Sequence, residues 1–196
     1  CWGNNPLVTM QAYWPRYLKA KENGAKIVVI DPRRNETAMR ADAWIPIVPG
    51  TDPILALGMI RIFEEEKLLD TAFLKAHTGA PFLVDADGNL LLENAKDPAS
   101  CMVFDLKSKK VVRHDTANID PALDVKGLSV PRGVRTALTI LLDEARPWTL
   151  KRVEEETRVP AAIVRQLARD YAKSGASMIV DNMGSFQRVE NGTYAA

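Results

Sequence analysis

Apolar residues along the chain follow two periods, one typical of helices and one typical of short buried strands. Apolar side chains recur at helical spacing over residues 7–23, 52–67, 133–144 and 160–173, with shorter helical patterns at 36–41, 70–77 and from Thr149 onward. Thr149 is the predicted N-cap of its helix, and Ser174-Gly175 is predicted to end the helix over 160–173. Two short, largely β-branched runs lie between helical stretches, at 26–31 and 43–48, and a third apolar run follows the last helix, at 177–181. Continuous apolar runs of this kind are typical of strands buried on both faces of a parallel sheet. The alternation of helices and buried strands predicts an α/β fold with a mainly parallel sheet flanked by helices.

The middle of the chain departs from this pattern and predicts hairpins. Residues 82–85 and 90–93 flank a turn rich in Asp and Gly, and residues 102–105 and 111–114 flank the charged stretch 107–110. We therefore expect three parts: residues 1–78 as the first part of the α/β domain, 79–131 as a small β-rich insertion, and 132–196 as the helices and strand that complete the domain.

Composition narrows the classes of function. The chain has 196 residues, 46% of them hydrophobic, and a formal net charge of +1, which gives no electrostatic reason to expect a nucleic-acid partner. Two cysteines a hundred positions apart and two histidines offer no metal-ligand spacing, so no all-protein metal site is predicted. No apolar run approaches the roughly 20 residues of a membrane helix, so no direct membrane insertion is predicted.

The two ends of the sequence suggest that it is a piece of a longer protein. It begins with Cys1 and enters a turn-like motif at once, and residues 191–196 have the composition of the start of an element. We therefore expect an internal fragment, with any export signal located upstream. The compartment, cytoplasmic or periplasmic, is left open.

Polar and glycine-containing loops follow the predicted strands, at residues 3–6, 31–35 and 183–187. Ligands of open parallel sheets bind beyond the carboxyl ends of the strands. Glycine lets the backbone approach a phosphate, and a carboxylate such as Asp31 or Asp52 accepts paired hydrogen bonds from a guanine edge or a ribose diol. The pattern suggests a nucleotide site, although neither the glycine-rich dinucleotide fingerprint nor a P-loop is present.

Each of these features has a purely structural interpretation as well. Residues 2–6 could form only a tight turn, and Asp31 could only end a strand. Asp52 has the position of a helix N-cap, followed by Pro53 in the first helical position. Met183 could serve core packing, and Gln187 could be a surface residue.

Taken in order, the motifs resemble the dimethyl sulfoxide reductase family of molybdopterin oxidoreductases. The resemblance rests on the order and spacing of Trp-Gly-Asn-Asn-Pro at 2–6, Gly-Ala-Lys-Ile-Val-Val-Ile-Asp-Pro-Arg at 24–33, Trp-Ile-Pro-Ile at 44–47 and Pro-Gly-Thr-Asp at 49–52. Residues 78–88 are most similar to the branch with polysulfide, thiosulfate and dimethyl sulfoxide reductase catalytic subunits. Residues 183–192 resemble a later cofactor segment of the family, and the resemblance is weakest between 93 and 132.

This resemblance implies a Rossmann-like domain that holds part of a molybdopterin guanine dinucleotide cofactor carrying molybdenum or tungsten. In the family, loops of that domain bind the diphosphate and guanine, and Asp31 would be the guanine or ribose partner. The implied cofactor-binding residues form three loops and one later segment. The first loop contains Trp2, Gly3, Asn4, Asn5 and Thr9, the second contains Asp31, Pro32, Arg33, Arg34 and Asn35, and the third contains Gly50, Thr51 and Asp52. Met183 and Gln187 would contact the pterin end.

The resemblance also implies parts that the sequence lacks. The metal ligand of the family and the cysteines of any 4Fe-4S cluster lie upstream of the Trp-Gly motif, so Cys1 is not interpreted as a metal ligand and no catalytic or metal-ligating residue is assigned. The expected partners are the remaining domains of a catalytic subunit, with iron–sulfur and membrane-anchor subunits left open. We expect the isolated chain to carry no cofactor.

Two classes of function therefore remain at this point. The chain is either part of an enzyme that performs two-electron redox chemistry or oxygen- or sulfur-atom transfer, or a structural or assembly module that retains the fold without catalysis. A stand-alone nucleotide-binding enzyme such as a dehydrogenase is disfavoured by the missing glycine fingerprint.

Overall fold

A computed structural model describes residues 1–181 of the chain as seven α-helices and six short strands, with one 3-10 turn at Gln11–Tyr13. The chain divides into two compact units, one formed by Cys1–Glu65 with Trp148–Ala196 and the other by Glu66–Pro147. The mixture of helices and strands confirms that both kinds of element are present, whereas the Rossmann-like parallel sheet stays a prediction. The domain boundaries predicted from the sequence stay a prediction.

The first unit is built around a small parallel layer. Strand β1 (Val28–Ile30) pairs with β2 (Ala43–Ile45) in parallel, and Trp2 forms isolated parallel bridges to Ile30 on one side and Asp181 on the other. The regular part of this layer has two strands, so the described residues do not establish the larger sheet expected from the sequence. β2 stops before Pro46, whose missing N–H cannot contribute to a strand ladder.

Five helices belong to the first unit. They are α1 (Pro6–Thr9), α2 (Trp14–Glu22), α3 (Asp52–Glu65), α6 (Leu150–Thr157) and α7 (Ala161–Lys173). α3 packs against both α6 and α7. A β-carbon on Gly58 of α3 would lie 2.8 Å from Val153 Cγ2 of α6, so glycine permits this close approach. Thr149 caps α6 as predicted, because its side chain accepts the N–H of Arg152.

The second unit holds α4 (Thr71–His77), α5 (Ala137–Ala145) and four strands. β4 (Met102–Asp105) and β5 (Lys110–Arg113) form the antiparallel hairpin predicted around residues 107–110. β3 (Leu83–Val84) pairs with the distant β6 (Arg135–Thr136), while Val84 also bridges Leu90 across the predicted turn. The hydrophobic core of the second unit contains Leu83, Phe104, Ala122, Val125 and Val134.

Three predicted elements differ in the structure. The helix expected over 7–23 is interrupted at Met10 and becomes α1, a 3-10 turn and α2, because Pro15 has no N–H for a helical bond and fits only the first turn of a new helix. The helix expected from Gly133 begins at Ala137, since Arg135 and Thr136 pair with β3. The run 177–181 is no buried strand.

The run 177–181 is largely exposed to solvent and is paired only at its end. Met178 is 77% exposed and Ile179 is 48% exposed, and this run joins the layer only at its end, where Val180 accepts the N–H of Trp2 at 2.8 Å. An apolar run becomes a buried strand only where neighbouring segments pair with it along its length. Residues 183–187, which carry two predicted site residues, lie outside the described part of the chain.

Candidate cofactor site

The first loop leaves the parallel layer at Gly3. The N–H of Gly3 donates to the carbonyl of Ile30 at 2.9 Å, and the φ of 57° places this residue in the left-handed region that glycine adopts without strain. The chain can therefore turn out of the layer within one residue of Trp2. This turn starts the loop at the carboxyl edge of the layer, where β1 also ends.

A buried hydrogen bond connects the start of the first loop to the third. The indole N–H of Trp2 donates to Asp52 Oδ1 at 2.6 Å, and both residues are 7% exposed. Asp52 is the first residue of α3, and the carbonyl of Thr51 accepts the first helical bond from Leu55. The N-cap therefore lies at Thr51, one residue earlier than the sequence suggested, and Asp52 combines a place in the first helical turn with a partner fifty residues away.

Gly50 and Thr51 shape the approach to α3. Gly50 has a φ of 87°, again in the left-handed region, and the Thr51 hydroxyl donates to the carbonyl of Val48 at 2.8 Å. The turn thus delivers the N-terminus of a 14-residue helix next to Trp2. The N–H groups at the start of a helix and the helix dipole favour an anion at such a position.

Asn5 connects the first loop to the second through three contacts. Its Oδ1 accepts the hydroxyl of Thr37 at 2.7 Å and the backbone N–H of Thr37 at 3.3 Å, and its Nδ2 donates to Glu36 Oε2 at 2.8 Å. Thr37 is fully buried and its hydroxyl oxygen also accepts the N–H of Leu7. The backbone carbonyl of Asn5 accepts the hydroxyl of Thr9 at 3.0 Å. The amide of Asn5 is therefore used to hold two loops together.

The second loop is organised by Asp31 and Asn35. Asp31 Oδ1 accepts the N–H of Arg33 at 2.8 Å, and its Oδ2 accepts Asn35 Nδ2 at 3.0 Å. Asn35, 4% exposed, in turn accepts the N–H of Ala38 at 2.9 Å, and the indole of Trp44 donates to the carbonyl of Asp31 at 2.8 Å. This network fixes the backbone where β1 ends.

Three residues of the second loop, Pro32, Arg33 and Arg34, are exposed. The guanidinium of Arg33 lies 3.3 Å from Glu36 Oε1, and that of Arg34 lies over the Trp44 ring at 5.9 Å. Hydrogen bonds from the backbone and from Asn5, together with the charge of Arg33, lower the pKa of Glu36. The loop therefore presents two guanidinium groups to solvent on a rigid base, which suits contact with a phosphate.

Asn4 differs from its neighbours because its buried amide is poorly satisfied. The residue is 3% exposed, its Oδ1 has no hydrogen-bond partner among residues 1–181, and its Nδ2 contacts only the sulfur of Met10, at 3.7 Å. Exchanging the amide O and N would leave a donor unpaired in place of an acceptor. A buried polar atom without a partner is a candidate for contact with a ligand that supplies one.

The structure brings the predicted residues of the first three loops together within one unit. Asn5, Asp31 and Asn35 serve largely to fix the loops, whereas Asn4, Arg33 and Arg34 retain capacity for a ligand. Glu36 and Thr37, which contact Asn5, were not predicted as site residues from the sequence. A local signal for the turn that contains them is the spacing of Asn35 and Ala38, which is typical of a side chain that caps a turn. Met183 and Gln187 lie outside the described residues, and no cluster of metal-ligating side chains occurs within residues 1–181.

The first unit thus combines a small parallel layer with loops at its strand ends that carry glycine, asparagine and arginine. Within residues 1–192, the chain matches the model of the family described as molybdopterin oxidoreductase. It belongs to this family, and the resemblance seen in the motifs is thereby confirmed.

Curated relatives and a solved structure agree with this assignment. The chain is 36% identical over 193 residues to a Halobacterium salinarum protein that is named as a catalytic subunit of dimethyl sulfoxide reductase, matching 93% of this chain and 23% of that protein. It is 29% identical to the alpha subunit of dimethylsulfide dehydrogenase from Rhodovulum sulfidophilum, covering 98% and 23%. The chain thus spans about a quarter of the length of these relatives.

The solved structure of acetylene hydratase from Pelobacter acetylenicus has a similar fold, with a TM-score of 0.57 and 21% identity over 93% of this chain and 17% of that one. At this identity the likeness establishes the fold alone. None of the helices within residues 1–181 has the length and apolar character needed to cross a bilayer.

Proposed function

We propose that this chain forms part of the catalytic subunit of a molybdenum or tungsten oxidoreductase and binds the guanine dinucleotide portion of its cofactor. The observation that carries the proposal is the convergence of three loops at the carboxyl edge of one parallel layer, with Trp2, Asn5 and Asp52 holding them in register. Membership of the molybdopterin oxidoreductase family supports the cofactor class.

The layer in this proposal is the core of a Rossmann-like sheet. Residues 2, 28–30, 43–45 and 181 run in parallel, and the loops that follow the first two segments contain most of the candidate residues. In doubly wound folds the ligand crosses the carboxyl edge between neighbouring strands.

Each loop has a separate role in this arrangement. Gly3 and Gly50 let the backbone approach the diphosphate, and Arg33 and Arg34 neutralise its charge. Asp31 accepts hydrogen bonds from the guanine or ribose in exchange for one of its present contacts with the loop, such as Asn35 Nδ2. Pro32, Thr9 and Thr51 line the same edge. The N-terminus of α3 adds its positive dipole end.

When bound, the metal of this cofactor cycles between oxidation states and supplies the two-electron redox or atom-transfer chemistry. The residues of this chain bind and orient the cofactor. The metal ligand, the substrate pocket and any 4Fe-4S cluster belong to other parts of the subunit in this proposal. Several relatives are named as alpha subunits, which supports further subunits as partners, and we propose iron–sulfur and membrane-anchor proteins among them.

The experiment is made on the whole subunit, purified with its cofactor. Guanine nucleotide released by acid and metal bound per polypeptide are measured for wild type and Asp31→Asn. The substitution keeps an acceptor for the loop but removes the carboxylate, and hydrogen bonds to a charged group are worth about 1.5–3 kcal/mol. We expect guanine nucleotide retention to fall about tenfold or more.

Asp87→Asn is the matched control, because Asp87 lies on an exposed turn of the other unit. It should leave nucleotide and metal content unchanged. A wild-type subunit that purifies without metal, pterin or guanine nucleotide would instead favour the structural or assembly module.

A further inference from the structure

Two buried side-chain polar atoms lack a hydrogen-bond partner within residues 1–181, and both belong to the first fourteen residues. One is Asn4 Oδ1, already assigned to the candidate site. The other is the indole Nε1 of Trp14, a residue that is 6% exposed. Unsatisfied buried groups are uncommon in folded proteins, so their concentration in one short stretch calls for a physical reason.

Trp14 is a donor without an acceptor. Its ring packs nearly parallel to that of Tyr17, with centroids 5.8 Å apart, and its backbone N–H donates to the carbonyl of Gln11. The indole N–H can only donate, so an oxygen or another acceptor must come from elsewhere. Trp2 and Trp44, by contrast, donate to Asp52 and to the carbonyl of Asp31.

The stretch that joins Asn4 to Trp14 consists of short pieces. α1 has four residues and the 3-10 turn three, and Met10 between them has non-helical dihedrals, with φ −134° and ψ 47°. The amide of Asn4 contacts Met10 through its sulfur, and Tyr13 N–H donates to the carbonyl of Met10. Met10 thus contacts both the side chain of Asn4 and the turn that leads into Trp14.

We propose that Trp14 is a further cofactor-binding residue, whose indole N–H donates to an oxygen of the bound dinucleotide once the stretch 4–14 has shifted to receive it. The proposal rests on the proposed function. The acceptor is an oxygen of the diphosphate, the guanine or the pterin. Binding would satisfy Asn4 and Trp14 together, one as acceptor and one as donor, and would remove the two unpaired groups of the free form.

The test replaces only the N–H. In the whole subunit Trp14 is replaced by 3-benzothienylalanine, in which sulfur takes the place of Nε1–H and the ring keeps its size. The same replacement at Trp44, whose N–H has a partner at 2.8 Å, is the matched control. Each variant is purified with cofactor and without it, the latter from cells unable to make the cofactor.

We expect opposite responses. Without cofactor, the replacement at Trp14 should leave the melting temperature unchanged or raise it, whereas the replacement at Trp44 should lower it. With cofactor, the Trp14 variant should lose guanine nucleotide and metal about five- to tenfold faster during dialysis, the loss expected for one neutral hydrogen bond. Guanosine diphosphate affinity of the cofactor-free protein then locates the acceptor: a weaker affinity places it on the nucleotide half, and an unchanged affinity on the pterin half.

Two results would overturn the proposal. A lower melting temperature of the cofactor-free Trp14 variant would mean that the N–H already has a partner, such as a buried water. Unchanged retention of the cofactor would remove its binding role. If Asp31→Asn still releases the nucleotide in that case, only the role proposed for Trp14 is wrong. Absence of any cofactor from the wild-type subunit would refute the proposed function itself.

Discussion

The buried bond between Trp2 and Asp52 allows a sharp test of how the first and third loops are held. Trp2→Phe removes the N–H that donates to Asp52 at 2.6 Å and leaves a carboxylate that is only 7% exposed. A hydrogen bond to a charged group contributes about 1.5–3 kcal/mol, and the smaller ring loses roughly 1 kcal/mol of apolar burial. We expect the free energy of unfolding to fall by about 3 kcal/mol.

A double-mutant cycle separates the bond from the packing. Trp2→Phe, Asp52→Ala and the double variant are unfolded in urea and followed by far-ultraviolet circular dichroism, which does not depend on the tryptophan signal. The coupling energy between Trp2 and Asp52 should be about 1.5–2 kcal/mol. A coupling below about 0.5 kcal/mol would refute the reasoning, because the two side chains would then stabilise the fold independently.

Three further predictions concern stability. Gly58→Ala gains about 1 kcal/mol of helix propensity but loses about 1–3 kcal/mol through the 2.8 Å approach to Val153. Urea unfolding should therefore show a net loss in the free energy of unfolding, and Val153→Ala in the same chain should reverse it. Equal losses with and without Val153→Ala would contradict the clash. Thr136→Ala removes the cap of α5 and a bond to the carbonyl of Leu123, and should lower the free energy of unfolding by about 1–2 kcal/mol, whereas Thr136→Ser should retain most of it. Hydrogen bonds from Ser108, Asp120 and Lys107 hold the pKa of Asp105 well below its usual 3.8. The contribution of Asp105 to the free energy of unfolding is therefore present above pH 3.8 and disappears as the pH falls below it. Acid titration of Asp105→Asn should show a smaller loss of stability below pH 3.8 than wild type, and parallel curves for the two proteins would count against the prediction.

Local signals in the sequence predicted many of the elements correctly. The amphipathic spacing over 160–173 and the Ser174-Gly175 end match α7, and the predicted cap at Thr149 is in place. These features depend on side chains and backbone within a few residues of each other. Local chemistry is therefore sufficient to place them.

Contacts between distant parts of the chain account for the differences between the predicted elements and the structure. β6 exists because Arg135 and Thr136 pair with β3 some fifty residues earlier, and no periodicity in the sequence predicts this pairing. The bonds from Trp2 to Asp52 and from Asn5 to Thr37 likewise join parts of the chain that only the fold brings together. Most residues of the candidate site were predicted from the sequence, but the sequence did not indicate which of them hold the loops together and which, like Asn4, retain an unpaired atom.

The position of Trp2 also has a consequence for the order of folding. Trp2 lies between β1 and Val180–Asp181, so the parallel layer needs the chain from its second residue to its hundred-and-eightieth before its pairing is complete. The unit Glu66–Pro147 is continuous in sequence and depends on no such long-range closure. Because non-local pairing is slow, the inserted unit should gain protection from hydrogen exchange first during refolding, and the edge that carries the candidate site should be the last part to become ordered.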